Sequence, residues 1–441
     1  MPQIKAGQTP FRELFEILGF EAEEALEKRR ARLFPTGNTE LENPTTSIFL
    51  ASLAAVKEYR EELLSEIGFN KIKNKNIQVH VFTEIRRQTH QTEERPDGLI
   101  VVTSGKNNPL IEWTAFVETK VGNNKLTPEQ VDRYIDFGKE VGIDNIITIS
   151  NYMVTAPENS PFVTRKRNFG LYHWSWTYLK VTAKRLIRAN LISDNDHIFI
   201  LSELRRYFDS HTKLTNFANM GGKDWKEAIQ KCRDIKTGKL PNSCTEILVD
   251  AYKQEEKDIA LQLTDRNTRG LYIKLNDSKG DRVRELSEDL SRNRKFVSTF
   301  IINQNKNWRF SIIVYISHSE IECITQINID KGKAQAQTSE LLNLLQNAGY
   351  TSDILINPIY PRNKTLEGRV TLQKLIEEKN SKNKSTYSTV NKALGDEIKY
   401  FEIKTKDFLG AEFFAPIKFV QRIEDIAERF LEQIMVSLNK V

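Results

Sequence analysis

Cysteine is scarce: the 441 residues hold three, Cys232, Cys244 and Cys323, odd in number and widely spaced. Neither a disulfide framework nor a cysteine-built zinc site is expected from that usage, and a reducing cytoplasm suits it. Long apolar runs are also missing. No stretch approaches the roughly 20 residues that a membrane-spanning helix needs. The opening MPQIKAGQTPFRELF lacks the basic-then-apolar run of a signal peptide. No internal repeat is visible, and no membrane partner is expected.

What is present is the composition of a globular chain, 39% hydrophobic and 28% charged, with a length that suggests two or three domains. Net charge is a modest +6, but residues 161–240 hold 16 Lys and Arg against 7 Asp and Glu. Arg165, Lys166 and Arg167 form one cluster, and Lys184, Arg185 and Arg188 follow at helical spacing. Such a surface suits phosphate neutralisation along a nucleic acid. A solvated helix face fits the same residues equally well.

The most informative stretch runs from Arg95 to Tyr134. Residues 111–121 are rich in β-branched and aromatic side chains without Pro or Gly, and read as a strand. Residues 99–103 read as the strand before it, joined through the turn-forming GKNN. Alternation puts Phe116, Glu118 and Lys120 on one face, with Ala115, Val117, Thr119 and Val121 on a core-facing other. In an antiparallel pair the start of one strand lies beside the end of the next, so Asp97 is expected to return to Glu118 and Lys120. Thr127-Pro128 supplies a helix cap and a first-turn proline. Gln130 and Tyr134 then share one helix face. Two carboxylates and a lysine presented this way can hold a divalent metal beside a water molecule.

Pro96-Asp97, Glu118-Thr119-Lys120 and the Gln130–Tyr134 element resemble, in this order, the PD-(D/E)xK nuclease superfamily. In its RecB-like branch QxxxY follows the ExK strand. The resemblance implies an α/β fold, a restriction-endonuclease-like α/β/α sandwich on a central mixed sheet over residues 1–208. It implies a nuclease that hydrolyses phosphodiesters, with DNA the favoured substrate. Mg2+, with Mn2+ substituting, would be held by Asp97, Glu118 and the Thr119 carbonyl. Lys120 would orient the attacking water and offset transition-state charge, while Gln130 and Tyr134 would steady Lys120 or touch the phosphate backbone. A helix ahead of the sheet often lends such sites a further acid. Glu58, Glu61, Glu62 and Glu84 are candidates, and spacing does not choose among them. Some members carry a histidine motif ahead of the Asp; His80 and His90 stand there without a supporting pattern.

Singly, each piece has a plainer reading. Glu118 and Lys120 fit an exposed pair on an edge strand, Asp97-Gly98 a turn, and Gln130 and Tyr134 a polar cap beside a half-buried aromatic. All three in order favour the site. The alternatives are a catalytically inactive nucleic-acid-binding protein on the same scaffold, or an RNA-cleaving enzyme. Phage defence, restriction or repair is suggested by analogy alone, and a homodimer or partner subunit stays open.

Elsewhere, residues 11–32 read as one amphipathic helix, 43–68 as a long helix ended by Gly68, and 77–85 as the first strand. Residues 145–154 and 171–179 read as later strands, and 181–189 as a helix. Residues 209–269 read as a helical connector. Residues 270–441 read as an α+β domain, a recognition or partner-binding module, with 377–388 a mobile loop.

Overall fold

The structure, a computed structural model, describes residues 3–27, 29–30, 40–85, 95–122, 124, 126–162, 168–235, 239–277, 281–330, 332–349, 352–365, 370–381 and 397–438. The chain is a mixed α/β protein that divides into two units, Met1–Phe217 and Ala218–Val441, each with its own sheet.

In the first unit the single helix expected over 11–32 is broken. A turn at Phe11–Glu13 leads into α1 (Leu14–Ile17), and α2 (Glu23–Glu27) follows. Gly19, at φ 77°, makes the left-handed turn that separates them. The long helix also breaks. Val56, in extended conformation, parts α3 (Glu42–Ala55) from α4 (Lys57–Glu66). Val56 is fully buried, as are Leu53 and Leu63, so packing outweighs the helical propensity of the run.

The strands β1 (Ile77–Thr83), β2 (Gly98–Ser104) and β3 (Leu110–Thr119) form an antiparallel meander. Beyond them β4 (Asn145–Ser150) and β5 (Gly170–Ser175) continue the sheet in parallel with β3. A parallel step needs a crossover, which α5 (Pro128–Val141) makes. β3 is therefore a central strand, not an edge, and helices cover both of its faces. Phe116 stacks on Phe137 of α5 with ring centroids 5.0 Å apart. On the opposite face α3 approaches so closely that a Cβ on Gly98 would meet Leu50 Cδ1 at 2.6 Å and Val117 Cβ at 3.3 Å. Gly98 is thus a strand residue chosen for closeness rather than a turn residue.

Two later strands are shorter than expected. The first stops at Ser150; the second ends at Ser175, whose hydroxyl accepts the Tyr178 N–H and starts α6 (Trp176–Arg188). Trp174 and Trp176 are core residues. The helix α7 (Asn195–Ser210) packs on α6 and closes the unit.

The second unit begins with α8 (Lys223–Asp234) and α9 (Asn242–Arg266), so the stretch expected as a connector is shared between the two units. Next come β6 (Ile273–Leu275), α10 (Arg282–Asn293), β7 (Lys295–Ile302), β8 (Asn305–Tyr315) and β9 (Glu320–Ile327). After α11 (Ala334–Leu344) come β10 (Leu355–Tyr360), β11 (Lys364–Thr365) and β12 (Val370–Thr371). Then come α12 (Leu372–Asn380), β13 (Tyr400–Phe408) and α13 (Pro416–Phe430), which runs on through a π-helical turn at Leu431–Met435 into α14 (Val436–Leu438). The strands form one antiparallel sheet in the order β11-β10-β13-β9-β8-β7-β6, with β12 on β10. The expected loop at 377–388 starts inside α12, and its residues 382–388 lie outside the described residues.

A buried ion pair ties this unit together. Arg282 of α10 donates through Nε to Glu256 Oε1 of α9 at 2.7 Å and through Nη2 to the Val297 carbonyl at 2.6 Å. Ser298 Oγ donates to Glu256 Oε2 at 2.6 Å. Glu256 is wholly buried and Arg282 is 8% exposed. Burial pushes the Glu256 carboxyl upward, and Arg282 opposes it. All three cysteines are free and buried, and among the described residues no helix is long and apolar enough to cross a membrane.

Candidate active site

The pairing of Gly98 with Val117 sets the geometry, because it leaves Asp97 opposite the end of β3. Asp97 Oδ2 accepts the Thr119 N–H at 2.8 Å and the Thr119 hydroxyl at 3.0 Å. Thr119 Oγ1 also lies 2.6 Å from Thr46 Oγ1, fastening the strand end to α3. Beyond Thr119 the strand hydrogen bonding ends, but the Lys120 N–H still donates to Ile149 O at 2.8 Å. The indole N–H of Trp176 donates to the Lys120 carbonyl at 2.9 Å. The backbone around the motif is held from three sides.

Glu118 is 2% exposed. Its Oε1 accepts from Lys120 Nζ at 2.8 Å and from Gln130 Nε2 at 2.9 Å. Gln130 therefore steadies Glu118 rather than Lys120, and reaches the Tyr134 hydroxyl at 3.2 Å. The helix that presents them starts as its sequence dictates, with Thr127 capping the Gln130 N–H and Pro128 in the first turn. Tyr134 is 6% exposed, more deeply placed than a half-buried aromatic. Lys120 Nζ spends its remaining donors on the Thr119 carbonyl at 3.0 Å and Glu42 Oε2 at 3.4 Å.

Glu42 is the residue that sequence reasoning missed. It opens α3, and Asn124 holds its other oxygen at 2.8 Å. The acids proposed from sequence are engaged elsewhere: Glu58 with His197, Glu61 with Lys57, Glu62 with Arg185, and Glu84 with Arg29, Arg95 and Asn43. Nothing in the spacing marks Glu42, because only the docking of α3 brings it to Lys120.

The electrostatics are out of balance. Asp97, Glu118 and Glu42 lie about one lysine, and Glu118 Oε2 is buried with no hydrogen-bond partner by distance among the described residues, although the Tyr134 hydroxyl helps to hold the Glu118 carboxyl down. Burial, then the neighbouring Asp97, push the Glu118 carboxyl up to about 7 against the pull of Lys120. Burial likewise raises Asp97. For Lys120 burial works against the charge, but Glu118, Asp97 and Glu42 outweigh it and hold the ammonium above its ordinary value. The tight pair is not a solvated surface ion pair, since the side chains are only 3% and 13% exposed.

An orphaned carboxylate oxygen beside a second carboxylate and a backbone carbonyl is a hard-oxygen donor set that fits Mg2+ or Mn2+. Among the described residues no three His, Cys, Asp or Glu side chains suffice to hold an ion alone. Mg2+ does not demand that, as it usually takes one or two carboxylates and keeps several waters.

The expected nucleic-acid contacts are less well placed. Arg165, Lys166 and Arg167 lie outside the described residues. Lys184 and Arg188 sit on α6, each already engaged within the protein. His80 bonds Thr103 and stacks on Phe11, and burial lowers it to about 4; His90 lies outside the described residues. No protein-family model, no curated protein and no solved structure matches this chain.

Proposed function

We propose that the first unit is a Mg2+-dependent nuclease of the PD-(D/E)xK type, RecB-like branch, with a restriction-endonuclease-like fold, hydrolysing phosphodiester bonds of DNA. The observation that carries this reading is Glu118 Oε2, buried and unpartnered among the described residues, with Asp97 and Lys120 as its charged neighbours. A buried carboxylate oxygen without a partner is costly unless a proton or a cation joins it. Glu118, Asp97 and the Thr119 carbonyl would hold the ion. A divalent metal there would supply polarisation of the scissile phosphate and a lowered pKa for a bound water.

The roles of the side chains follow from their contacts. Lys120 stays charged at neutral pH and so is no general base. Its ammonium orients the water and offsets charge as oxygen adds to phosphorus and the ester bond breaks. Gln130 fixes Glu118 in its rotamer, and Tyr134 closes that chain of hydrogen bonds. Thr119 and Trp176 hold Asp97 and the Lys120 backbone in register. Glu42 keeps Lys120 aimed across the site, so Glu42→Gln should slow cleavage by about tenfold, less than loss of Lys120 itself. Plasmid nicking rates for the two variants check that order.

Soaking a crystal of the protein in Mn2+ tests the site directly: an ion bridging Asp97 and Glu118 is expected, and density elsewhere would remove the assignment. Metal binding should also be pH-dependent. With Glu118 at about 7 in the metal-free protein, an ion entering below that pH must displace a proton. Affinity measured calorimetrically should fall by about tenfold per pH unit below 7 and level off above it. The same raised carboxyl makes the metal-free protein lose stability as pH rises from 4.5 through 7, and added metal should reverse that loss.

A further inference from the structure

In the second unit β7 and β8 are joined by Asn303 and Gln304, both at positive φ (49° and 60°), the backbone that a tight two-residue hairpin requires. Just beyond it the register jumps: Ile302 pairs with Asn305, but Ile301 pairs with Arg309. Lys306, Asn307 and Trp308 are therefore extra on β8, and bulges of this kind re-aim side chains away from the regular ladder. Trp308 turns inward, 8% exposed, and its indole N–H donates to the Met435 carbonyl at 2.9 Å. That anchor leaves Lys306, Asn307 and Arg309 exposed.

These residues form one wall of a cleft of about 920 Å³. The rest is built largely of amides and hydroxyls, among them Asn276, Asn328, Gln326 and Thr299, together with Lys399 and Tyr400. Three cations line the cleft, and among the described residues no Asp or Glu does. Two other lysines of the same sheet are neutralised. Lys404 pairs with Glu402 at 3.1 Å and Lys406 with Glu322 at 3.1 Å. Glu402, next to Gln326, is taken up by Lys404, Gln326 and Asn357. Lys306 and Arg309 have no ion-pair partner among the described residues.

We propose that this cleft binds a nucleotide, its phosphates on Lys306 and Arg309 and its base against Tyr400 and the surrounding amides. Unneutralised cations call for an anion. The volume, near the top of the range for ligand clefts, calls for more than a bare phosphate. Amides supply donors and acceptors together, which match the edge of a heterocycle. Of the lining aromatics, Trp308 and Phe310 are buried (8% and 1% exposed), which leaves the Tyr400 ring for stacking. Lys399 Nζ lies over one face of that ring, 5.8 Å from its centre, and brings positive charge to it. The reading stands apart from the nuclease proposal. A free nucleotide and a nucleotide within a single strand present the same chemistry, and the test separates them.

The full-length protein would be titrated in EDTA with ATP, with a short single-stranded oligothymidylate and with inorganic pyrophosphate. At least one of the first two should bind, more weakly as salt rises. The Lys306→Glu/Arg309→Glu protein, with an unchanged melting temperature, should lose about tenfold or more in that affinity. Tyr400→Ala should weaken ATP or oligonucleotide but not pyrophosphate, which keeps the test valid if the charge reversal misfolds. Tighter ATP assigns the cleft to a free nucleotide, tighter oligonucleotide to a strand. Pyrophosphate binding as tightly as ATP, no binding of any probe, or affinities unchanged in both variants would overturn the proposal.

Discussion

Lys120→Ala and Asp97→Ala, incubated with plasmid DNA and Mg2+, are expected to cut about two to four decades more slowly than the intact protein. The size of the effect comes from what each side chain does in a buried, low-dielectric site. Among the described residues, Lys120 supplies the one ammonium that bonds Glu118 and Glu42 and lies near Asp97. On the proposed mechanism, the developing negative charge on phosphorus would lose that preorganised donor without it. Asp97 would supply one of the two carboxylates proposed for the metal, so its loss should also weaken metal affinity.

The two variants should differ in a telling way: raising Mg2+ should partly rescue Asp97→Ala and leave Lys120→Ala unchanged. Melting curves keep loss of activity apart from loss of fold. Cutting that persists unaltered in both variants would remove the assigned site. Failure of the intact protein to cut any DNA or RNA would instead favour a binding protein on a nuclease scaffold, and labelled RNA in parallel reactions decides between the two nucleic acids.

The second large effect concerns stability. Arg282→Met should destabilise the second unit by about 3–5 kcal/mol, the usual consequence of leaving a buried carboxylate without its partner. Glu256 is fully buried and would keep only the Ser298 hydroxyl. Pairing the change with Glu256→Leu should recover most of the loss, because two apolar groups need no compensation in a packed interior. Urea unfolding, with hydrogen exchange of the β7 amides to mark this unit, gives the measurement. A double variant as unstable as the single one would show that packing, not the unpaired charge, is what Arg282 provides.

Much of the candidate site was legible locally. Alternation along β3, the turn after β2 and the Thr127-Pro128 cap are short-range signals, since strand period, turn conformation and helix capping depend on residues close in the chain. An antiparallel hairpin then carries Asp97 back to the end of β3, where it meets Thr119, with no distant partner needed. Strand ends were less legible, because Ser175 as a helix cap competes with the alternating pattern of LYHWSWTYL that surrounds it.

The break at Gly19 is a local glycine turn, but the break at Val56, the entry of Glu42 into the site and the Arg282–Glu256 pair were decided by tertiary structure. Each depends on which elements dock: Leu50 against Gly98, α3 against the end of β3, α9 against α10. Such contacts join residues dozens of positions apart, and burial sets their energies rather than any residue's own preference. The chain therefore spelled out the hairpin and the helix start by itself, while the charge environment of the carboxylates exists only once the helices have closed over the sheet.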